Sequence, residues 1–154
     1  MRTVVFVCHG NICRSPMAEM VFQMLVRRMG CEDRFTSISR ATSREEIGNP
    51  IYPPALAELK RHGVPCHAHA ATQLKKSDYR QYDLFVCMDD YNLRNTYQIF
   101  TEDPQHKVKK LLNYTDRHGN VADPWYTDRF DIAYRDILDG CCALLKHLLE
   151  NEQQ

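Results

Sequence analysis

Hydrophobic residues in this chain fall into short continuous runs that alternate with stripes at helical spacing. Residues 2–7 are rich in valine and precede a glycine-containing turn, a pattern typical of a short, fully buried strand. Similar patterns predict three further strands, over residues 35–41, 82–88 and 108–112.

The stripes between these runs predict helices. Ser15-Pro16 is predicted to begin the first helix, with Ser15 as its N-cap and Pro16 at its first position. Gly30 is predicted to end that helix, because glycine readily adopts the left-handed conformation that follows a helix. Apolar residues at helical spacing predict three more helices, over residues 53–62, 90–100 and 130–149.

This order of elements predicts a fold class. Strands that alternate with helices favour a doubly wound α/β domain, in which helices cover both faces of a parallel sheet. Residues 113–127 are predicted to be a loop, and the chain of 154 residues fits one domain, residues 1–154, around one core. Hydrophobic residues make up 44% of the chain and charged residues 26%, as expected for a globular protein.

Charge narrows the range of partners. Twenty Lys and Arg residues balance twenty Asp and Glu residues, so the net charge is zero and favours neither nucleic acid nor a membrane surface. The longest early apolar run, residues 4–7, is too short for a signal peptide or a membrane span. A cytoplasmic location is therefore expected.

The cysteines favour reduced thiols. There are seven of them at irregular spacing, whereas a secreted disulfide framework is usually even and denser. The adjacent pair Cys141 and Cys142 suits neither a structural disulfide nor a zinc knuckle. A cysteine with a special role is therefore expected to be catalytic or redox-active.

Candidate chemistry is concentrated where the first strand leads into the first helix. Cys8 and Arg14 flank five residues there, so the intervening N–H groups can converge on a phosphate at the helix N-terminus. Gly10 is predicted to supply backbone freedom and close approach. Arg14 can bind two phosphoryl oxygens, and the electropositive surroundings favour the thiolate of Cys8, to which the Ser15 hydroxyl can donate. Taken alone, Cys8 could equally be a small buried residue at a strand end.

The segment resembles the signature of the low-molecular-weight protein tyrosine phosphatases, which is a cysteine, any residue, Gly-Asn, any residue, then Cys-Arg-Ser. Residues 8–15 match it at every fixed position. The resemblance implies a flavodoxin-like, four-stranded parallel sheet and hydrolysis of phosphotyrosine in proteins, without metal or cofactor. It extends along the chain to residues 41–43, 47–50, 60–63, 87–89, 92–94 and 123–126.

The resemblance also implies roles for individual residues. Cys8 would be the nucleophile that forms a phosphocysteine, Arg14 would hold the phosphoryl oxygens, and Asp123 would protonate the leaving oxygen. Asp103, also followed by proline, is an internal competitor for the acid, but it lacks the aromatic residues that follow Asp123. The phosphate-binding residues implied beside Cys8 and Arg14 are His9, Gly10, Asn11, Ile12, Cys13 and Ser15.

Further matches concern the pocket and its supports. Trp125 and Tyr126 match aromatic residues that line the family's pocket, whereas Glu45 stands where many members have an aromatic residue on the opposite wall. Ser39 and His69, together with Asn11, match positions that brace the phosphate-binding residues. The resemblance also implies that Cys13 can form a reversible disulfide with Cys8, although filling space behind the loop is a plainer explanation.

Rival activities remain possible on this fold. A thiol-dependent arsenate reductase needs a relay of two more cysteines, and Cys66 and Cys87 lack the close spacing of such a relay. A phosphoarginine phosphatase tends to have threonine where this chain has Ile12, whose hydrocarbon side chain favours a phenyl ring. A non-catalytic phosphate-binding module would be expected to lack one of the three catalytic residues. Phosphotyrosine-containing proteins are therefore the expected partners of a monomer or weak dimer.

Overall fold

The computed structural model describes residues 1–152 and contains a parallel sheet of four strands. The strands follow the order β2-β1-β3-β4, so the chain leaves the central β1 first to one side and then to the other. In doubly wound sheets, ligands bind at the carboxyl ends of the strands where the order reverses, here between β1 and β3. The strands are β1 (Arg2–Cys8), β2 (Phe35–Ala41), β3 (Leu84–Cys87) and β4 (Val108–Lys110).

Helices cover both faces of this sheet, which confirms the predicted fold class. They are α1 (Arg14–Arg28), α2 (Pro53–Arg61), α3 (Asp78–Gln81), α4 (Asp90–Phe100), α5 (Pro124–Thr127) and α6 (Phe130–Glu152), with a 3-10 helix at Leu111–Tyr114.

Alternate strand residues face the two helical layers. Val4 and Phe6 belong to a core shared with α1 and α6, where Phe6 contacts Phe22 edge to face with ring centroids 5.7 Å apart. Val5 and Val7 point to the other face, into a smaller core closed by α3 and α4. Because both faces are buried, β1 shows a continuous apolar run instead of an alternating pattern.

Two sequence predictions about element ends were wrong. The first helix begins at Arg14 with Cys13 as its N-cap, so Ser15 is not the N-cap. The last strand ends at Lys110, and Leu111 and Leu112 belong to the 3-10 helix instead. Both leucines are buried, and an apolar run alone does not distinguish a strand from a buried helical turn.

The third strand is shorter than predicted, because it spans Leu84–Cys87 and not residues 82–88. Short helices account for two further differences. The helix α3 has four residues, too few to produce a periodic pattern, and the predicted loop over residues 113–127 contains α5 and the end of the 3-10 helix. Gly30 does follow the first helix in the left-handed region, with φ 67°. Within residues 1–152, every helix falls short of the length or apolar character needed to cross a membrane.

Close packing of α6 on the 3-10 helix generates a prediction. A Cβ at Gly140 would lie 2.5 Å from Cγ of Leu111, and Leu111 is fully buried and has no room to swing away. We expect Gly140→Ala to lower the free energy of unfolding by about 1–3 kcal/mol through overpacking. The clash should outweigh the gain of about 1 kcal/mol that alanine brings to a helix interior. Urea denaturation measures the change.

A double-mutant cycle provides the control for this prediction. In a Leu111→Ala background the space beside Gly140 is open, so Gly140→Ala should there be neutral or stabilising. Equal destabilisation in both backgrounds would contradict the steric explanation.

Candidate active site

A pocket opens at the carboxyl edge of the sheet, at the end of β1. It brings together the three predicted catalytic residues, Cys8, Arg14 and Asp123, from distant parts of the chain. Glu46 also lines the pocket and was not identified from the sequence. The lining consists of residues 8–14, Glu45, Glu46, Asp123, Trp125 and Tyr126.

The sulfur of Cys8 receives two directed hydrogen bonds. The backbone N–H of Asn11 donates to Sγ at 3.3 Å, and Oγ of Ser15 lies 3.0 Å from the same atom. Nδ2 of Asn11 donates to Oγ of Ser15 at 2.8 Å, which leaves the serine proton for the sulfur. Hydrogen bonds of this kind are strongest when the acceptor is ionised, so the surroundings suit an anionic sulfur.

Asn11 carries the strained backbone of the loop. It is fully buried and adopts φ 62°, in the left-handed region that asparagine tolerates better than most residues. Its Oδ1 accepts the backbone N–H of Thr72 at 3.0 Å, and its carbonyl oxygen lies 2.6 Å from Nε2 of His69. Because a carbonyl oxygen only accepts, His69 carries a proton on Nε2. The structure therefore places His69 against the loop, as expected.

The expectation for Gly10 was wrong as regards backbone freedom. Its φ is not in the left-handed region; that conformation falls on Asn11. A Cβ at Gly10 would lie 3.4 Å from Cγ of Glu46, an ordinary van der Waals distance. The unusual dihedral of the loop is held by hydrogen bonds to an asparagine side chain.

Arg14 is buried beneath the pocket, with 2% of its surface exposed. Its Nη1 donates to Oδ2 of Asp89 at 2.6 Å and to the carbonyl oxygen of Val121 at 2.8 Å. Its Nη2 lies 3.4 Å from Oδ2 of Asp123. Burial alone would lower the pKa of Arg14, but the negative charges of Cys8 and Asp123 raise it above its ordinary value. Arg14 therefore stays cationic.

Asp89 is a second residue, besides Glu46, to which the sequence alone assigned no role. It lies two residues after the end of β3 and caps α4, with Oδ1 accepting the backbone N–H of Asn92 at 2.8 Å. Its other oxygen holds Arg14. The available signal was an acidic residue at the carboxyl end of the strand beside β1, in the part of a doubly wound sheet where ligands bind.

Asp123 lines the pocket from the segment that leads into α5. It is the N-cap of α5, and its Oδ1 accepts the backbone N–H of Trp125 at 3.0 Å. Its Oδ2 is turned toward Arg14, and a quarter of the side chain is exposed. The cap fixes one oxygen and leaves the other free to meet a ligand.

Asp103, the competing candidate, has a structural position. Its carboxylate accepts the Tyr79 hydroxyl at 2.7 Å and the backbone N–H of Val108 at 3.1 Å, at the start of β4. Burial raises the pKa of Asp103, but these hydrogen bonds lower it below its ordinary value overall. The start of β4 lies at the edge of the sheet opposite the pocket, so Asp103 is not placed to act on a ligand there.

Aromatic residues form one wall of the pocket mouth. Trp125 is about half exposed and packs on Tyr52, with ring centroids 5.0 Å apart. Tyr52 in turn contacts Phe130, and Tyr126 is exposed at the rim. Trp125 therefore both packs against the protein and lines the pocket.

The opposite wall is charged. Glu45 is exposed, and its Oε2 lies 3.0 Å from Nε2 of His9. Sequence reasoning did not identify this contact, because it joins the loop after β1 to the loop after β2 and no local pattern reports it.

Ser39 acts through the first helix. Its hydroxyl donates to Oε1 of Glu19 at 2.6 Å, and the other oxygen of Glu19 lies 2.6 Å from Nε2 of His67. Glu19 belongs to α1, one turn after Ser15. Ser39 therefore braces the helix that follows residues 8–14.

All seven cysteines, which lie within residues 1–152, are free thiols. Cys13 lines the pocket beside Cys8, where burial and the charge of Cys8 raise its pKa to about 12. Cys87 is fully buried on the other face of the sheet, and burial raises its pKa to about 12 as well. Cys66 is half-buried and donates to the carbonyl oxygen of Val64.

Comparison of the sequence with known proteins gives a consistent result. The sequence model described as "Low molecular weight phosphotyrosine protein phosphatase" matches residues 3–154. The Homo sapiens protein of that name is 37% identical over 150 residues, covering 94% of each chain. The low molecular weight protein-tyrosine-phosphatase YfkJ of Bacillus subtilis is 32% identical over 155 residues, covering 99% of each.

Solved structures agree. The crystal structure of YfkJ from Bacillus subtilis superposes with a TM-score of 0.94 at 33% identity, covering 100% of this chain and 98% of that one. The low molecular weight protein tyrosine phosphatase SP-PTP from Streptococcus pyogenes gives a TM-score of 0.87 at 35% identity, with coverage of 96% and 93%. Sequence and fold thus agree, and the chain belongs to the low molecular weight phosphotyrosine protein phosphatase family.

Proposed function

We propose that this protein hydrolyses phosphotyrosine in proteins in two steps, through a phosphocysteine formed on Cys8. The observation that carries the proposal is the chain of hydrogen bonds from Asn11 through Ser15 to the Cys8 sulfur. It directs a nucleophilic sulfur into a pocket at the N-terminus of α1, a position that favours phosphate.

In the first step the Cys8 thiolate attacks phosphorus, and the bond from phosphorus to the tyrosyl oxygen breaks. Asp123 donates its proton to that oxygen, so a neutral phenol departs. Two bonds from Nη1 anchor Arg14, which leaves Nη2 to turn from Asp123 to a phosphoryl oxygen. This exchange would release Oδ2 of Asp123 toward the leaving group. Arg14 and the loop amides together stabilise the phosphoryl charge.

In the second step a water molecule attacks the phosphocysteine. Asp123, now a carboxylate, takes a proton from this water, and the bond from sulfur to phosphorus breaks. Sulfur leaves as a thiolate that accepts hydrogen bonds from Ser15 and the Asn11 backbone. Inorganic phosphate is the product, and the protein returns to its starting state.

The shape of the pocket supports a phenyl ring as the leaving group. Ile12 contributes a hydrocarbon surface to the lining, and Trp125 and Tyr126 form an aromatic wall. A hydroxyl at position 12, suited to a guanidinium leaving group, is missing. Phosphotyrosine therefore fits this pocket better than phosphoarginine does.

Arsenate reduction is less well supported. A relay needs two thiols besides Cys8. Cys13 lies beside Cys8, but Cys87 lies in the core on the other face of the sheet. Cys66 is outside the pocket lining and donates to a backbone carbonyl. Neither is placed to pass electrons to or from the nucleophile.

The remaining expectations concern context. One phosphatase domain over residues 1–154, phosphotyrosine proteins as partners, a monomer or weak dimer, and a cytoplasmic location all form part of the proposal. The seven free thiols support a reducing compartment. The proposed mechanism involves no metal or cofactor, since Arg14 and the loop amides take the charge-stabilising role.

The nucleophile assignment predicts the effect of removing one sulfur. The protein should hydrolyse para-nitrophenyl phosphate in the presence of a chelator, and Cys8→Ser should lower kcat at least about a thousandfold. Cys66→Ser is the matched control, because this thiol lies outside the pocket and should be dispensable. Release of para-nitrophenolate measures the rates. Substantial turnover by Cys8→Ser would contradict the assignment.

The acid assignment predicts a dependence on the leaving group. Asp123→Asn keeps an oxygen for the cap on Trp125 but cannot donate a proton, so kcat/KM for phenyl phosphate, which reports the first step, should fall about 10²–10⁴-fold. Para-nitrophenyl phosphate, whose leaving group needs little protonation, should lose much less. Asp103→Asn is the control and should leave the ratio of the two rates unchanged. Equal losses on both substrates for Asp123→Asn would argue against its role.

The hydrogen bond from Ser15 predicts a change in the rate-limiting step. Ser15→Ala removes the donor to the departing sulfur, so breakdown of the phosphocysteine should slow roughly ten- to hundredfold. The intermediate should then accumulate, seen as a burst of one para-nitrophenolate per protein in stopped-flow measurements. Ser37→Ala removes another buried hydroxyl, bonded to Glu19, and should give no burst. A slower first step without a burst would refute this role for Ser15.

A further inference from the structure

The mouth of the pocket is chemically asymmetric. Trp125 and Tyr126 form one wall, and the carboxylates of Glu45 and Glu46 form the other. Oε2 of Glu46 accepts from the Asn49 amide at 2.5 Å. Within residues 1–152, neither glutamate has a lysine or arginine in salt-bridge contact. The wall formed by Glu45 and Glu46 therefore carries negative charge that no lysine or arginine in contact with it balances.

His9 fixes the more exposed of these two carboxylates. Its Nε2 lies 3.0 Å from Oε2 of Glu45, with half of the His9 side chain and 70% of the Glu45 side chain exposed. An ionised carboxylate only accepts, so His9 donates from Nε2. One oxygen of Glu45 is thus held, and Oε1 remains available to a ligand. The neighbouring Arg44 directs its Nε to Oε1 of Gln73 at 3.3 Å, and within residues 1–152 it forms no ion pair with Glu45.

The catalytic residues determine which part of a bound peptide lies beside Glu45 and Glu46. A phosphoryl group bound at Cys8 and Arg14 places the tyrosine ring along the pocket, so the adjoining peptide residues lie at the mouth. A carboxylate beside the phosphotyrosine would meet Glu45 and Glu46 and be repelled. An ammonium or guanidinium group there would pair with Oε1 of Glu45.

We propose that Glu45, positioned by His9, selects phosphotyrosine sites that have a lysine or arginine beside the phosphotyrosine. This inference rests on the proposed function, since it concerns the flanking residues of the same substrate. An exposed ion pair changes affinity roughly 1.4- to 5-fold. Exchanging lysine for glutamate in the substrate removes an attraction and adds a repulsion, so the two effects together give a preference of about 2- to 25-fold.

Matched phosphopeptides test this selectivity. Three peptides would differ at the residues flanking phosphotyrosine, which are lysine in one, alanine in the next and glutamate in the third. The protein should show the highest kcat/KM for the lysine peptide and the lowest for the glutamate peptide. The difference should lie mainly in KM, because a rim contact is made equally in the ground and transition states. It should shrink between 0.05 and about 0.5 M salt, where exposed charges are screened.

Variants localise the effect, with the ratio of kcat/KM for the lysine and glutamate peptides as the readout. Glu45→Gln should lower this ratio at least about twofold. Glu102→Gln removes the same charge beyond the end of α4, at the opposite edge of the sheet, and should leave the ratio unchanged. His9→Leu should lower the ratio by releasing Glu45, and His9→Gln should restore it because an amide can donate in place of the ring.

The outcomes separate this inference from the proposed function. Efficient hydrolysis of all three peptides with equal kcat/KM would overturn the selectivity and leave the phosphatase function standing. No hydrolysis of any peptide would overturn the phosphatase function itself, and the selectivity with it. Equal lowering of the ratio by Glu45→Gln and Glu102→Gln would show that net charge, and not Glu45, is responsible.

Discussion

The conformation of Asn11 is the constraint on which the rest of the site depends. A left-handed backbone at a non-glycine residue costs roughly 1–2 kcal/mol, and hydrogen bonds to Thr72, His69 and Ser15 maintain it here. In that conformation the backbone N–H of Asn11 turns inward to the Cys8 sulfur while its side chain orients the Ser15 hydroxyl. The strain therefore aligns two donors on one sulfur before any substrate arrives.

The buried charge beneath the sulfur is stabilised by a second arrangement, which connects the pocket to the sheet. Asp89 caps α4 with one oxygen and holds Arg14 with the other, while the carbonyl of Val121 takes a second bond from the same guanidinium nitrogen. The backbone N–H of Val121 is itself bonded to Met88, at the end of β3. Arg14 is thus held both by Asp89 at the edge of the sheet and by Val121, two residues before Asp123. These contacts fix the position of the cation relative to the acid.

The sequence predicted features that neighbouring residues determine, and it failed for features that contacts between distant residues determine. The positions of the buried strands and the residues of the 8–15 segment were predictable, because apolar runs and a contiguous motif report them. Serine before proline predicts an N-cap at Ser15, but tertiary contacts with Asn11 and Cys8 use its hydroxyl differently. The apolar run predicts a strand at Leu111, because a residue buried in a 3-10 turn gives the same apolar signal.

The distribution of burial explains why chemistry and selectivity are separable in this protein. The groups that handle phosphorus lie on the sheet edge and helix start, where Asn11, Arg14 and Ser15 are at most 2% exposed and each hydrogen bond is hard to replace. Glu45 lies on an exposed loop after β2, where a change of side chain disturbs no packing. Exposed charges are individually weak, so a residue there can bias which peptide binds while the buried groups that carry out the reaction stay in place.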